Sequence, residues 1–236
     1  MSLSSLDIAT FQDLSKGRFI LASKSPRRKQ ILEQQLGIKD VSVFPSGFEE
    51  DLDKTKFSPF EYVVETARQK ALDVYRAEID SDHPPSIVLA ADTIVLCDDE
   101  IMEKPRDKQL HFNMLKKLRD YKRPHKVFTG LCCIVPLEVP RLPGYALFTQ
   151  LEESEVKFDS SVSDELIMSY IKSGQGDDAA GGYNIQGLGA VFVEKVNGDF
   201  YNVMGLPVRA TLRLIEKTVE ASKEENSEDE DADEDY

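Results

Sequence analysis

Arg18-Phe19-Ile20-Leu21-Ala22-Ser23-Lys24-Ser25-Pro26-Arg27-Arg28-Lys29-Gln30-Ile31-Leu32 is the stretch from which the fold is read. Its apolar opening makes a short buried strand. The chain then turns through two serines into a helix, with Ser25 placed to cap and Pro26 at the first helical position. A strand, a tight turn and a helix form an anion-binding geometry, because the first N–H groups of the helix have no backbone partner and carry the positive end of its dipole. Arg27 and Arg28 fall in that first turn, where cations oppose the dipole. A polyvalent anion reverses the sign, since guanidinium groups grip phosphate oxygens in pairs and the serines add donors. The stretch reads as a phosphate site.

Working outward, the chain of 236 residues with 41% hydrophobic side chains has enough apolar surface for one large core or two lobes that share a sheet. The longest apolar run, Ile87 to Leu96, is interrupted by Asp92 and is too short to cross a bilayer. Residues 1–16 lack the apolar core of a signal peptide, so a cytoplasmic address is expected. The three cysteines, two of them adjacent at Cys132 and Cys133, suit reduced core thiols better than a disulfide framework or a zinc site. The formal charge of −14 divides unevenly: residues 221–236 hold nine acids and one lysine, a net of −8, which leaves −6 for residues 1–220. A folded part of that charge is unsuited to tracking a nucleic-acid backbone, so any phosphate must meet a local basic cluster.

Three regions are expected: an extension at 1–16, a folded domain at 17–220, and an acidic tail at 221–236 that has almost nothing apolar to bury and should be disordered. Within the domain, Ile31, Leu32 and Leu36 share a helix face that ends at Gly37, and Val41 to Phe44 reads as a second strand. An acidic loop follows at Ser46 to Asp51 and contains Glu50. Ser58-Pro59-Phe60-Glu61 is a capping box, and Phe60, Val63, Val64, Ala67, Ala71 and Val74 keep helical spacing behind it, with Lys70 on that helix. Ile87 to Leu96 is a central strand. Its Asp92 is costly inside an apolar run unless it is paired or metal-bound. Asp98-Asp99-Glu100 reads as a hairpin turn whose return brings Lys104 toward Asp92.

Asp107 caps a helix carrying Leu110, Met114, Leu115 and Leu118, and long strands at 126–135 and 145–158 flank a proline-containing loop. Ser163 to Lys172 is a helix with Leu166, Ile167, Tyr170 and Ile171 inward, and the glycine-dense run Gly181 to Gly189 lets backbone approach a ligand. Asn197-Gly198 signals a hairpin between strands at 191–196 and 200–203, and Pro207 opens the last helix. Alternating strands and helices followed by a hairpin-rich half give an α/β protein with a mixed sheet and two lobes. Cationic Arg27, Arg28, Lys70 and Lys104 with acidic Glu50 and Asp92 have the composition of a metal-assisted phosphoryl site. His83, His111 and His125 stand at no triad spacing.

Five motifs in order carry a resemblance: Leu21 to Arg28, Ala91-Asp92-Thr93, Glu103-Lys104-Pro105-Arg106-Asp107, Gly182-Tyr183-Asn184-Ile185-Gln186-Gly187 and Gly205-Leu206-Pro207. Over about residues 18–216 the chain resembles the Maf family of nucleoside triphosphate pyrophosphatases. The resemblance implies an elongated mixed sheet with a cleft between lobes, as in the inosine triphosphatase group, and a homodimer. It also implies hydrolysis of a nucleoside triphosphate to the monophosphate and pyrophosphate. Asp92 is then the proton acceptor and, with Glu50, a ligand of a divalent cation, Mg²⁺ or Mn²⁺. Ser23, Arg27, Arg28, Lys70 and Lys104 hold phosphates. At Arg27, Thr93 and Gln186 the chain is similar to the branch acting on dTTP and UTP, and differs from the branch acting on 7-methyl-GTP. A pyrophosphatase acting on 7-methyl-GTP or another noncanonical purine triphosphate, and a non-catalytic nucleotide-binding regulator of cell division, are the competing expectations. The family's lysine two residues before Gly181 is Ala179 here, the 136–144 loop is longer than usual, and the tail is extra.

Overall fold

A computed structural model describes residues 17–49, 52–53, 56–139 and 142–233, with side chains to 227. The expected extension at 1–16 and the proposed metal ligand Glu50 lie outside the described residues. The opening stretch folds as β1 (Arg18–Leu21) and α1 (Pro26–Gln34). β1 runs parallel to β2 (Ser42–Val43) on one edge and to β3 (Pro85–Cys97) on the other. β3 is the central strand. On its far side come β5 (His125–Pro136), β6 (Tyr145–Phe158) and β7 (Val193–Asn197), each antiparallel to its neighbour, while β4 (Glu100–Met102) folds back onto β3. The seven-stranded mixed sheet has the order β2-β1-β3-β5-β6-β7, with β4 beside β3. The β3–β4 turn is made by Asp98 and Asp99, whose φ values of 54° and 63° place both in the left-handed region.

One register positions the site. β5 occupies one edge of β3 from Val88 to Leu96, so β1 and β4 must share the other. β1 pairs there only as far as Leu89, and β4 begins only at Val95. Between them the edge from Ala90 to Ile94 is open, and Asp92 is its midpoint. An opening beyond the carboxyl end of a parallel strand is where open α/β sheets bind ligands.

The two-residue period of β3 divides the core. Ile87, Leu89 and Ala91 pack with α1 and with Leu214 and Ile215 of α6 (Val208–Asp233), while Val88 and Ala90 pack with Ala67, Ala71 and Leu72 of α2 (Pro59–Glu78). Farther along, Val95, Val127, Val156 and Phe158 form a second core with α3 (Lys108–Asp120) and α4 (Asp164–Ser173). β3, β5 and β6 run through both lobes, and the opening lies between the two. The caps read from sequence are present for α2, where Ser58 and Glu61 complete both halves of the box, and at Asp107; Ser163 also caps α4, its side chain accepting from Leu166 N–H.

Several local expectations are corrected. Ser25 makes no side-chain cap; its N–H instead donates to Ser23 Oγ at 3.2 Å. Phe60, Leu110 and Leu166 point outward, because each stands at the solvent edge of its helix's apolar stripe. The Asn197-Gly198 hairpin does not form. Asp199 accepts from the N–H groups of Tyr201 and Asn202 and starts α5 (Phe200–Met204), and Asn202 is then fully buried, donating to Val127 O and Ser154 Oγ, each at 3.0 Å. The expected break at 221 is not a break in the backbone: α6 continues to Asp233, with Ser222 buried and Asn226 Oδ1 accepting from Glu138 N–H at 3.1 Å.

Candidate active site

The opening in β3 is the floor of a cleft of about 920 Å³. The β1–α1 turn, Tyr62 and Lys70 of α2, the segment after β4, the glycine-rich run and the end of α5 (Phe200–Met204) with Gly205 line it. Asp92, only 9% exposed, shares the α2 face of β3, where Lys70 Nζ donates to its Oδ1 at 2.8 Å. Gly130 makes that pairing geometrically available. It stands opposite Asp92 in β5, and a Cβ there would lie 2.6 Å from Val63 O, so α2 rests its backbone directly on the sheet. About two helical turns after Val63, Lys70 therefore reaches the floor of the cleft. The hairpin return does bring Lys104 to the same cleft, but β4 ends at Met102 and the cation hydrogen-bonded to Asp92 comes from α2.

Arg28 is a clamp. Its Nε donates to Gly205 O at 2.8 Å, and its terminal nitrogens donate to Ser23 Oγ and Thr93 Oγ1, both at 3.0 Å. Thr129 Oγ1 donates to Asn202 O at 3.2 Å, which uses its one proton. Thr93 must therefore donate across the 3.0 Å contact to Thr129, giving a continuous path from α1 through β3 and β5 to α5. Ser23 is buried at the turn and accepts from Ser25 N–H as well. Arg27 is half-buried in the cleft wall. Burial pulls its pKa down from the ordinary arginine range, opposed by the nearby Asp178 carboxylate and then by Tyr170.

Gln186 is exposed on the cleft wall, and the glycine run behind it is anchored to the second lobe. His111 Nε2 donates to Gly182 O at 2.6 Å, the carbonyl having only an acceptor to offer, and the Tyr170 hydroxyl accepts from Asn184 N–H at 3.0 Å. His125 Nε2 and the Tyr183 hydroxyl are 2.9 Å apart. The cleft brings together Ser23, Arg27, Arg28, Lys70, Asp92, Thr93, Lys104 and Gln186. Among the described residues, no three His, Cys, Asp or Glu side chains form a ligand set. Sequence reasoning missed Asp177 and Asp178 on the wall; their one signal was an acid pair just before the glycine run. The three cysteines are buried thiols, and burial pushes Cys133 up to about 12.

A pH dependence follows from His125, whose pKa burial lowers from 6.5 to about 3, with the Lys157 charge adding to the effect. Between those values the unfolded chain binds a proton that the folded chain does not. Stability from this residue is therefore complete above the unfolded pKa and falls with pH, by roughly 2 kcal/mol at pH 5. Urea midpoints from pH 5 to 8 should show this slope in the wild type and a shallower one in His125→Asn; equal slopes would show that the folded protein accommodates the imidazolium.

A mixed α/β sheet whose central strand sets a carboxylate and its lysine at the floor of a cationic cleft defines a protein built to take a polyanion. The family described as Maf-like protein matches residues 18–218, and the chain belongs to it. It is similar to a dTTP/UTP pyrophosphatase of Schizosaccharomyces pombe, 50% identical over 222 residues that cover 94% of this chain and 92% of that one. A dTTP/UTP pyrophosphatase of Pyrococcus furiosus is 40% identical over 199 residues, 84% of this chain and 94% of its own. A human protein named a probable bifunctional dTTP/UTP pyrophosphatase/methyltransferase is 43% identical over 202 residues, 85% of this chain but 32% of its own length. No helix among the described residues is long and apolar enough to cross a membrane.

Proposed function

We propose that the chain is a nucleoside triphosphate pyrophosphatase that hydrolyses dTTP and UTP to the monophosphate and pyrophosphate, clearing them from the nucleotide pool. The observation that carries this reading is the Asp92–Lys70 pair at the open edge of β3, directly beyond the β1–α1 turn. The names of relatives matched along nearly their whole length support the choice of nucleotide. In this reading the α1 N-terminus, Ser23 and Arg27 hold phosphate oxygens, with Lys104 on the opposite wall. Arg28 supports that surface by fixing Ser23 and Thr93. Asp92 accepts the proton of the water that attacks the α–β anhydride, pyrophosphate leaves, and Lys70 orients the carboxylate and offsets its charge.

A divalent cation fits the donor chemistry. Asp92 offers a hard oxygen, the triphosphate offers several more, and magnesium-type ions are commonly held by one or two carboxylates with substrate phosphates. Asp92, with Glu50 as the second carboxylate, would hold Mg²⁺ or Mn²⁺, which when bound neutralises phosphate charge and polarises the anhydride. We also place the protein in the cytoplasm as a homodimer, with no nucleic acid partner; its buried thiols suit a reducing compartment.

The test is pyrophosphate release from dTTP, UTP, 7-methyl-GTP and dGTP, with Mg²⁺, with Mn²⁺ and in chelator. Efficiency on the two pyrimidine nucleotides should exceed that on 7-methyl-GTP by at least about tenfold, and chelation should abolish it. A preference for 7-methyl-GTP would move the chain to the other branch, and full turnover in chelator would remove the metal from the mechanism.

A further inference from the structure

We infer that Gln175 is a positioning residue for base selection, acting through Gln186; the inference rests on the pyrophosphatase reading above. Gly174, at φ 72°, ends α4 and turns the chain back beneath the glycine run. Gln175 comes next and meets both ends of one tight turn. Its Oε1 accepts from Leu188 N–H at 2.8 Å, and its backbone carbonyl accepts from Asn184 Nδ2. Between those points Gly187 N–H donates to Asn184 O at 3.1 Å, closing a four-residue turn with Ile185 and Gln186 at its centre. Ile185 is buried in the second core, so Gln186 is the central residue left facing the cleft.

The turn is moulded around the Gln175 amide. A Cβ on Gly187 would lie 2.4 Å from Oε1, so position 187 must stay without a side chain while Gln175 keeps this conformation. Reading a base edge requires the Gln186 amide to be held within a fraction of an ångström of its hydrogen-bonding position. Gln175 is itself exposed and contributes nothing to either core. Its loss should therefore loosen the turn while sparing the fold.

The experiment compares Gln175→Met, which keeps length and removes the acceptor, with Gln175→Glu, which keeps an acceptor for Leu188 N–H. Gln175→Met should lower the ratio of kcat/KM for dTTP over dGTP by about tenfold, mainly through KM for dTTP, and Gln175→Glu should keep it within about threefold. In a Gln186→Ala background, Gln175→Met should change that ratio by less than about twofold, because the group it positions is gone. An unaltered ratio in Gln175→Met, or the same tenfold effect without Gln186, would overturn the inference. Failure of both Gln175→Met and Gln175→Ala to fold would overturn it as well, by making the residue structural. A wild-type enzyme inactive on dTTP and UTP would instead overturn the reading on which the inference rests.

Discussion

Asp92→Asn is expected to abolish pyrophosphate release from dTTP and UTP while the protein remains folded and still binds nucleotide. Position 92 lies on the open edge of β3 with its side chain on the α2 face. The substituted amide has nearly the same shape, and its oxygen can accept the Lys70 bond. The stability change should therefore stay near 1 kcal/mol, a shift in Tm of about 2–4 °C. An amide cannot take a proton from water or act as an anionic metal ligand. Loss of general-base action alone lowers kcat by about 10²- to 10⁴-fold, and loss of a metal contact adds to that. Affinity for dTTP should hold or rise, since one negative charge has been removed from the path of a polyanion. The measurement is paired, turnover and binding on the same preparation. Retention of more than about a tenth of wild-type kcat, a loss below roughly 1.4 kcal/mol, would make Asp92 a structural residue.

The parts of the fold that could be read from sequence are those whose signals are local. The β1–α1 turn, the Ser58 capping box, the Asp107 cap and the boundaries of β6 each rest on a few adjacent residues. Asp92 was legible for the same reason, as a charge interrupting an apolar run. Its partner was not. Lys70 reaches it because Gly130, sixty residues later, lets α2 touch the sheet, and no window around either residue contains that fact. Arg28 was singled out from its neighbours, but its bonds to Thr93 and Gly205, both distant in sequence, lie outside any such window. The hairpin expected at Asn197-Gly198 failed because Asp199 capped a helix whose Asn202 found partners in β5 and β6. Gln175 carried no signal, since its work is done on a turn that starts nine residues later.

Lys70→Met should be the more damaging of the two substitutions at the pair, because it leaves a charge rather than an amide at the cleft floor. Both side chains are 12% exposed, so the contact is weakly screened. Breaking a buried ion pair from one side costs about 3–5 kcal/mol, whereas replacing both partners is often nearly neutral. Water in the cleft moderates the figure here, and a loss of about 2–4 kcal/mol is expected, a fall in Tm of roughly 5–15 °C. Turnover should be lost as well, since Asp92 no longer has its orienting donor and the triphosphate meets one cation fewer. Adding Asp92→Asn to Lys70→Met removes the stranded charge and should return about 1–3 kcal/mol of stability with no return of activity. Stability restored while catalysis stays absent would separate the two roles of the pair. Additive stability losses in the double variant would show instead that the 2.8 Å contact holds no coupling and that the cleft floor is effectively solvent.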